Sequence, residues 1–173
     1  MEEKELKSEA ENLAKIAVES GLGSKQLRVI YDLCRTKPLP VVEAYVQRQL
    51  GRDVSGKKGF EHVLGLLARF GEDKACFCRI LWYANMVFDF FQKQYAARYG
   101  EDAEVISREA CERFGCKYLG LETVSNGDLQ ELRVSVSGYV KNPKDLSSVI
   151  WRELTSKYPN FRGRVWIEQS ERR

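Results

Sequence analysis

The sequence has little of what kinks, ligates or catalyses: its 173 residues include one histidine, four prolines and two methionines. A lone imidazole excludes centres built on paired histidines. On a helix Glu61 points away from His62, so no nucleophilic triad assembles around it, and His62 is expected to be exposed and idle. No apolar run reaches twenty residues. The longest, Cys76 to Phe91, is interrupted by Arg79, Asn85 and Asp89, which argues against a membrane span. The opening "MEEKELKSEAENL" is acidic and polar rather than signal-like, so a cytoplasmic location is expected. Internal repeats, low-complexity tracts and long linkers are also missing.

The cysteines are five, at 34, 76, 78, 111 and 116, an odd number without framework spacing. Cys76 and Cys78 form C-x-C, but helical residues two apart point about 200° from each other and cannot share a zinc ion. All five are expected to be buried small hydrophobes with no disulfide, and no metal or cofactor is expected.

Charge is nearly balanced overall at +3 but unevenly placed. Residues 1–24 carry three Lys against six Glu, residues 25–79 carry eleven Lys or Arg against six Asp or Glu, and residues 101–173 carry twelve of each sign. One third of the chain is therefore selectively positive, as a patch for a polyanion or an acidic protein would be.

Hydrophobic spacing predicts a mainly α protein: a bundle of five to six helices over residues 1–116, with a small β-β-α-β unit over 117–173 that packs on the bundle or a partner. Leu6, Ala10, Leu13 and Ala17 mark a first helix stopped by Gly21 and Gly23. A second, with Ser24 as N-cap, buries Leu27, Ile30, Tyr31 and Cys34 and ends at Pro38. A third places Val42, Tyr45, Val46 and Leu50 inward. A fourth buries Phe60, Val63, Leu64, Leu67 and Phe70, leaving Lys58, His62 and Arg69 on the opposite face. Residues 74–100 predict a helix apolar nearly all round and hence enclosed by the others; a buried Asp89 within it would need a partner such as Arg79. A separate helix over about 102–114 follows Gly100. Strands "KYLGLETV" and "ELRVSVSGYV" flank an Asn126-Gly127 hairpin turn. Leu132, Val134 and Val136 point inward and Arg133, Ser135 and Ser137 outward. Asn142 and Pro143 open a helix burying Leu146, Val149, Ile150 and Leu154, and "GRVWIEQ" forms the last strand.

No segment presents an assembled catalytic constellation, and the chain is read as a non-enzyme. "GRDVSGKK" approaches a phosphate-cradling loop, but Lys58 stands where Ser or Thr would hold magnesium and a helix, not a strand, precedes it. It is read as a helix-helix loop. Lys25, Arg28, Asp32 and Arg35 form one line on the second helix, either a solvated face with an Arg28/Asp32 pair or, with Lys57, Lys58 and Arg69, a surface for phosphates.

The segment "GLGSKQLRVIYDL" resembles a helix start in the small subunit of Csm-type, type III CRISPR effector complexes, through Ser24, Gln26, Leu27 and Arg28. The amphipathic helix before it and "FEHVLGLLARF" after it fit that family's short bundle, so the resemblance covers roughly residues 1–100. Val29 replaces a basic residue, and residues 117–173 have no counterpart in an essentially all-helical family. The resemblance implies a non-catalytic RNA-binding subunit that sits beside other subunits of the complex and touches guide or target RNA through Lys25, Gln26, Arg28, Arg35, Lys57, Lys58 and Arg69. Two other classes fit the same chain. One is a protein-interaction or homo-oligomeric scaffold using a strand edge with Tyr139, Trp151 and Trp166 as anchors. The other is an enzyme assembled from residues remote in sequence.

Overall fold

Glycine and proline punctuation divides the first 70 residues into four helices. They are α1 (Glu3–Ser20), α2 (Ser24–Thr36), α3 (Leu39–Leu50) and α4 (Lys57–Phe70). They are followed by α5 (Lys74–Arg113), β1 (Lys117–Asn126), β2 (Leu129–Ser137), α6 (Pro143–Lys157) and β3 (Gly163–Ser170). The computed structural model describes residues 2–52, 55–126, 129–159, 161 and 163–170. Gly127 of the expected hairpin turn, and Asp53 and Val54 of "GRDVSGKK", lie outside the described residues. The protein is mainly α with a small three-stranded C-terminal sheet.

The chain divides into two compact units, residues 1–95 and 96–173. The boundary between the units lies within α5, which continues through Gly100. Glycine in a helix costs only about 1 kcal/mol, and no proline or capping side chain adds to that cost here. The expected helices over 74–100 and 102–114 are therefore one.

In the first unit, Leu6, Leu13, Leu27, Ile30, Val42, Val46, Phe60, Val63, Phe77 and Ile80 form one buried cluster. Each such side chain contributes about 1.5–3 kcal/mol by leaving water. The helix starts differ in detail from expectation. Ser24 is the first residue of α2 and Gly23 its N-cap, with the Gly23 N–H donated to Gln26 Oε1 at 3.1 Å. The α5 helix is not enclosed: Trp82, Met86 and Phe90 are 46%, 65% and 59% exposed, and Asp89 is exposed beside them, needing no buried partner. Its buried side is Phe77, Ile80, Leu81, Ala84 and Phe88, at helical spacing, and the other helices of the unit cover that side alone.

The cysteine expectation fails at one pair. Cys34 and Cys78 form a disulfide with Cα atoms 5.9 Å apart. The bond joins α2 to α5 across 44 residues, so near-neighbour spacing could not register it. Cys76, Cys111 and Cys116 are buried thiols, as expected.

In the second unit β1 and β2 are antiparallel, with a bulge between Tyr118 and Gly120, and β2 and β3 are parallel. The sheet order is β1-β2-β3. Leu132, Val134 and Val136 are fully buried, as are Leu146, Ile150 and Leu154 of α6. Residues 117–173 alone offer a thin core. The end of α5 thickens it with buried Tyr99, Ala103, Ala110 and Cys111. Asn142 and Pro143 open α6 as expected, although the Asn142 amide donates to Asp145 Oδ2 at 2.6 Å and leaves the backbone N–H groups uncapped by its side chain.

Candidate nucleic-acid interface

Two glycines determine where the lysines of α4 stand. The Gly56 N–H donates to the Ser20 carbonyl at 2.8 Å, and the Gly59 N–H donates to Ser20 Oγ at 3.1 Å. A Cβ on Gly56 would come to 2.9 Å from Leu22 Cα, and one on Gly59 to 2.8 Å from Leu22 Cβ. Gly56 also has φ +95°, in the left-handed region. The first turn of α4 is thus pressed onto the turn between α1 and α2, with Leu22 fully buried between them. Lys57 and Lys58 therefore emerge beside the start of α2, where Lys25 stands three residues past Leu22; all three are exposed.

Neither α2 nor α4 has an acidic residue in its first turn, so two helix N-termini and three lysines contribute positive potential here. The C-terminus of α1, which ends at Ser20 with Glu19 and no basic residue in its last turn, reaches the same corner and offsets part of it. Arg28 lies one turn along α2 from Lys25, and Arg35 about 15 Å along its axis, on the same side. Both are exposed. Among the described residues none of Lys25, Arg28, Arg35, Lys57 and Lys58 forms an ion pair, the anticipated Arg28/Asp32 pair included.

Two of the expected site residues are committed elsewhere. Gln26 is half-buried and its side-chain carbonyl accepts the Gly23 N–H. Arg69 stands at the far end of α4, about 17 Å along the helix from Lys58. Its Nη2 lies 2.6 Å from Glu9 Oε1.

His62 differs from its expected idle exposure. It is half-buried near Glu9 and Arg69, and its Nε2 is buried without a hydrogen-bond partner among the described residues. Burial holds its pKa below the usual imidazole value, with Glu9 opposing and Arg69 adding to the shift.

The second unit holds two further polar clusters that the sequence did not reveal. Tyr158 donates its hydroxyl to Asp102 Oδ2, Lys157 Nζ lies 2.8 Å from Asp102 Oδ1, and the Tyr99 ring meets Tyr158 edge-on at 5.1 Å. Burial, reinforced by the Asp102 carboxylate, pushes the Tyr158 phenol up to about 12, while Lys157 and then Tyr158 hold Asp102 below its ordinary value. Cys116 Sγ donates to the Cys111 carbonyl at 3.4 Å, and burial pushes the Cys111 thiol up to about 12, which keeps it a thiol rather than a reactive thiolate. Among the described residues no group of three or more His, Cys, Asp or Glu is placed to hold a metal ion. None of their helices is long and apolar enough to cross a membrane.

Comparison with protein-family models, curated proteins and solved structures gives no match in any of the three.

Proposed function

We propose that the chain is a non-catalytic RNA-binding protein of the cytoplasm, a small subunit of an RNA-guided interference complex that holds guide or target RNA by its phosphates. The observation that carries this reading is the corner where α2 and α4 begin together, with Lys25, Lys57 and Lys58 exposed and unpaired among the described residues. Arg28 and Arg35 extend it along α2 into a line that a phosphate backbone can follow. Such contacts position an RNA without reading its bases. Gln26 supports the corner by fixing the start of α2, and Arg69 belongs to the scaffold. The Ser24, Gln26, Leu27 and Arg28 motif is what favours the RNA-guided complex over other polyanion binders.

Anisotropy titration of a labelled 20-nucleotide oligouridylate against the full chain tests this. With four to five phosphates engaged, the logarithm of the affinity falls with the logarithm of salt at a slope of about −3. Salt-insensitive binding, or none, rejects the reading.

A second reading, a self-associating scaffold, is favoured by one observation. Trp82, Met86 and Phe90 stand at i, i+4 and i+8 on α5, all exposed. Light scattering on the purified chain separates the two: a monomer that binds RNA supports the first, and a stable oligomer without RNA affinity the second.

A further inference from the structure

The sheet order leaves β3 at an edge, with β2 on one side and, among the described residues, no strand on the other. Alternate residues of such a strand hold backbone N–H and C=O groups with no ladder partner. Beside them runs a groove of about 450 Å3, walled by Ser147, Ser148, Trp151 and Arg152 of α6 and floored by Gly163 to Trp166 of β3. Trp151 and Trp166 are each 46% exposed. Val165 and Ile167 pair in register with buried Leu132 and Val134 and are themselves half-buried. Trp166 stands on the other face of the strand, with nearly half of its surface open to solvent.

The charges of the groove are of one sign. Its two ionised side chains are Arg152 and Arg164, and among the described residues neither has an ion-pair partner. Arg133 shows the contrast: it lies 3.7 Å from Glu131 and 4.0 Å from Glu168 on the same sheet.

We infer that the groove between α6 and β3 docks an extended acidic segment of a partner protein, which adds to β3 as a fourth strand. Main-chain hydrogen bonds to the free edge supply much of the affinity, because a peptide brings both donors and acceptors where a phosphate chain brings acceptors alone. Carboxylates on the α6 side of the added strand meet Arg152, and those on its opposite side meet Arg164. Apolar side chains pack against Trp151 on the α6 side and against Trp166 on the opposite face. The site is independent of the RNA reading: none of its residues belongs to the basic corner of α2 and α4.

The test is selection of a displayed library of random linear dodecapeptides on the full chain, followed by titration of a synthetic copy of the most enriched peptide. The inference expects enriched sequences that combine Asp or Glu with apolar residues and carry net negative charge. It expects at least tenfold weaker binding in Arg152→Glu/Arg164→Glu and in Trp151→Ala, and in the peptide N-methylated at alternate amides. Circular dichroism of each variant confirms folding, and Arg28→Glu/Arg35→Glu serves as a folded control that keeps full peptide affinity. Failure to enrich any peptide, enrichment of basic or uncharged ones, or indifference to N-methylation overturns the inference. So does a dimer paired through β3 edges, or a single-stranded RNA whose binding is lost in the groove variants. Loss of RNA affinity in the α2 control with peptide binding intact bears on the RNA reading alone.

Discussion

Arg69 Nη2 lies 2.6 Å from Glu9 Oε1, which ties the last turn of α4 to the middle of α1. This pair withdraws one cation from the surface that the spacing of basic residues would have assigned it. Arg69→Ala should lower the thermal midpoint while changing RNA affinity by less than about twofold, since an internally paired arginine contributes little to a phosphate contact. Parallel melting curves and anisotropy titrations check both halves of that expectation.

The Cys34–Cys78 bond closes a loop of 44 residues within the first unit. Constraint of the unfolded chain by a loop of that length is worth about 4 kcal/mol in the chain-entropy account. Under reducing conditions that contribution is withdrawn. Melting followed by circular dichroism, with and without dithiothreitol, should show the first unit's transition about 15–30 °C lower when reduced. Coincident melts would mean that the bond adds nothing to this fold.

His62 has a folded pKa lowered by burial below the value of 6.5 it has in an unfolded chain. Its contribution to stability is therefore present above that unfolded value and is lost as pH falls through the folded one, because the unfolded chain takes up the proton first. The thermal midpoint of the native chain should drop between pH 7.5 and pH 5 by more than that of His62→Gln. Equal drops in a pH series of melts would show that the imidazole does not drive the acid sensitivity.

Tyr158 behaves in the opposite sense. Its phenol is raised from 10.0 to about 12, so its stabilisation is complete below the unfolded value and disappears as pH rises through about 12. Burial also raises the Tyr118 phenol, so ultraviolet titration at tyrosinate wavelengths should show late-ionising tyrosines of which one is lost in Tyr158→Phe. That variant should also lose less stability than the native chain between pH 9 and pH 11.

The parts of the fold that depend on local spacing were legible in the sequence. The α1 stripe of Leu6, Ala10 and Leu13, the strand alternation of Leu132, Val134 and Val136, and the Pro143 helix start all follow from period and punctuation. What escaped depended on neighbours distant in sequence. Gly100 reads as a break, yet it sits in mid-helix because nothing nearby reinforces it. Cys34 and Cys78 meet only once α2 and α5 pack, and an apolar α5 says nothing of which side its neighbours leave open. The basic corner was half visible: the line on α2 shows in the spacing, whereas the placing of Lys57 and Lys58 beside it depends on Gly56 and Gly59 clearing Leu22. The Arg69 pairing with Glu9 is likewise invisible to local spacing, since it spans 60 residues.

The most direct test of the RNA reading is the salt dependence of RNA affinity in the native chain and in Lys25→Glu/Lys57→Glu/Lys58→Glu. With three phosphate contacts removed, the slope should become shallower by about 2 and affinity at low salt should fall at least a hundredfold, while circular dichroism stays native. An unchanged slope and affinity in that folded triple variant would contradict the proposal that the joined starts of α2 and α4 hold the phosphate chain.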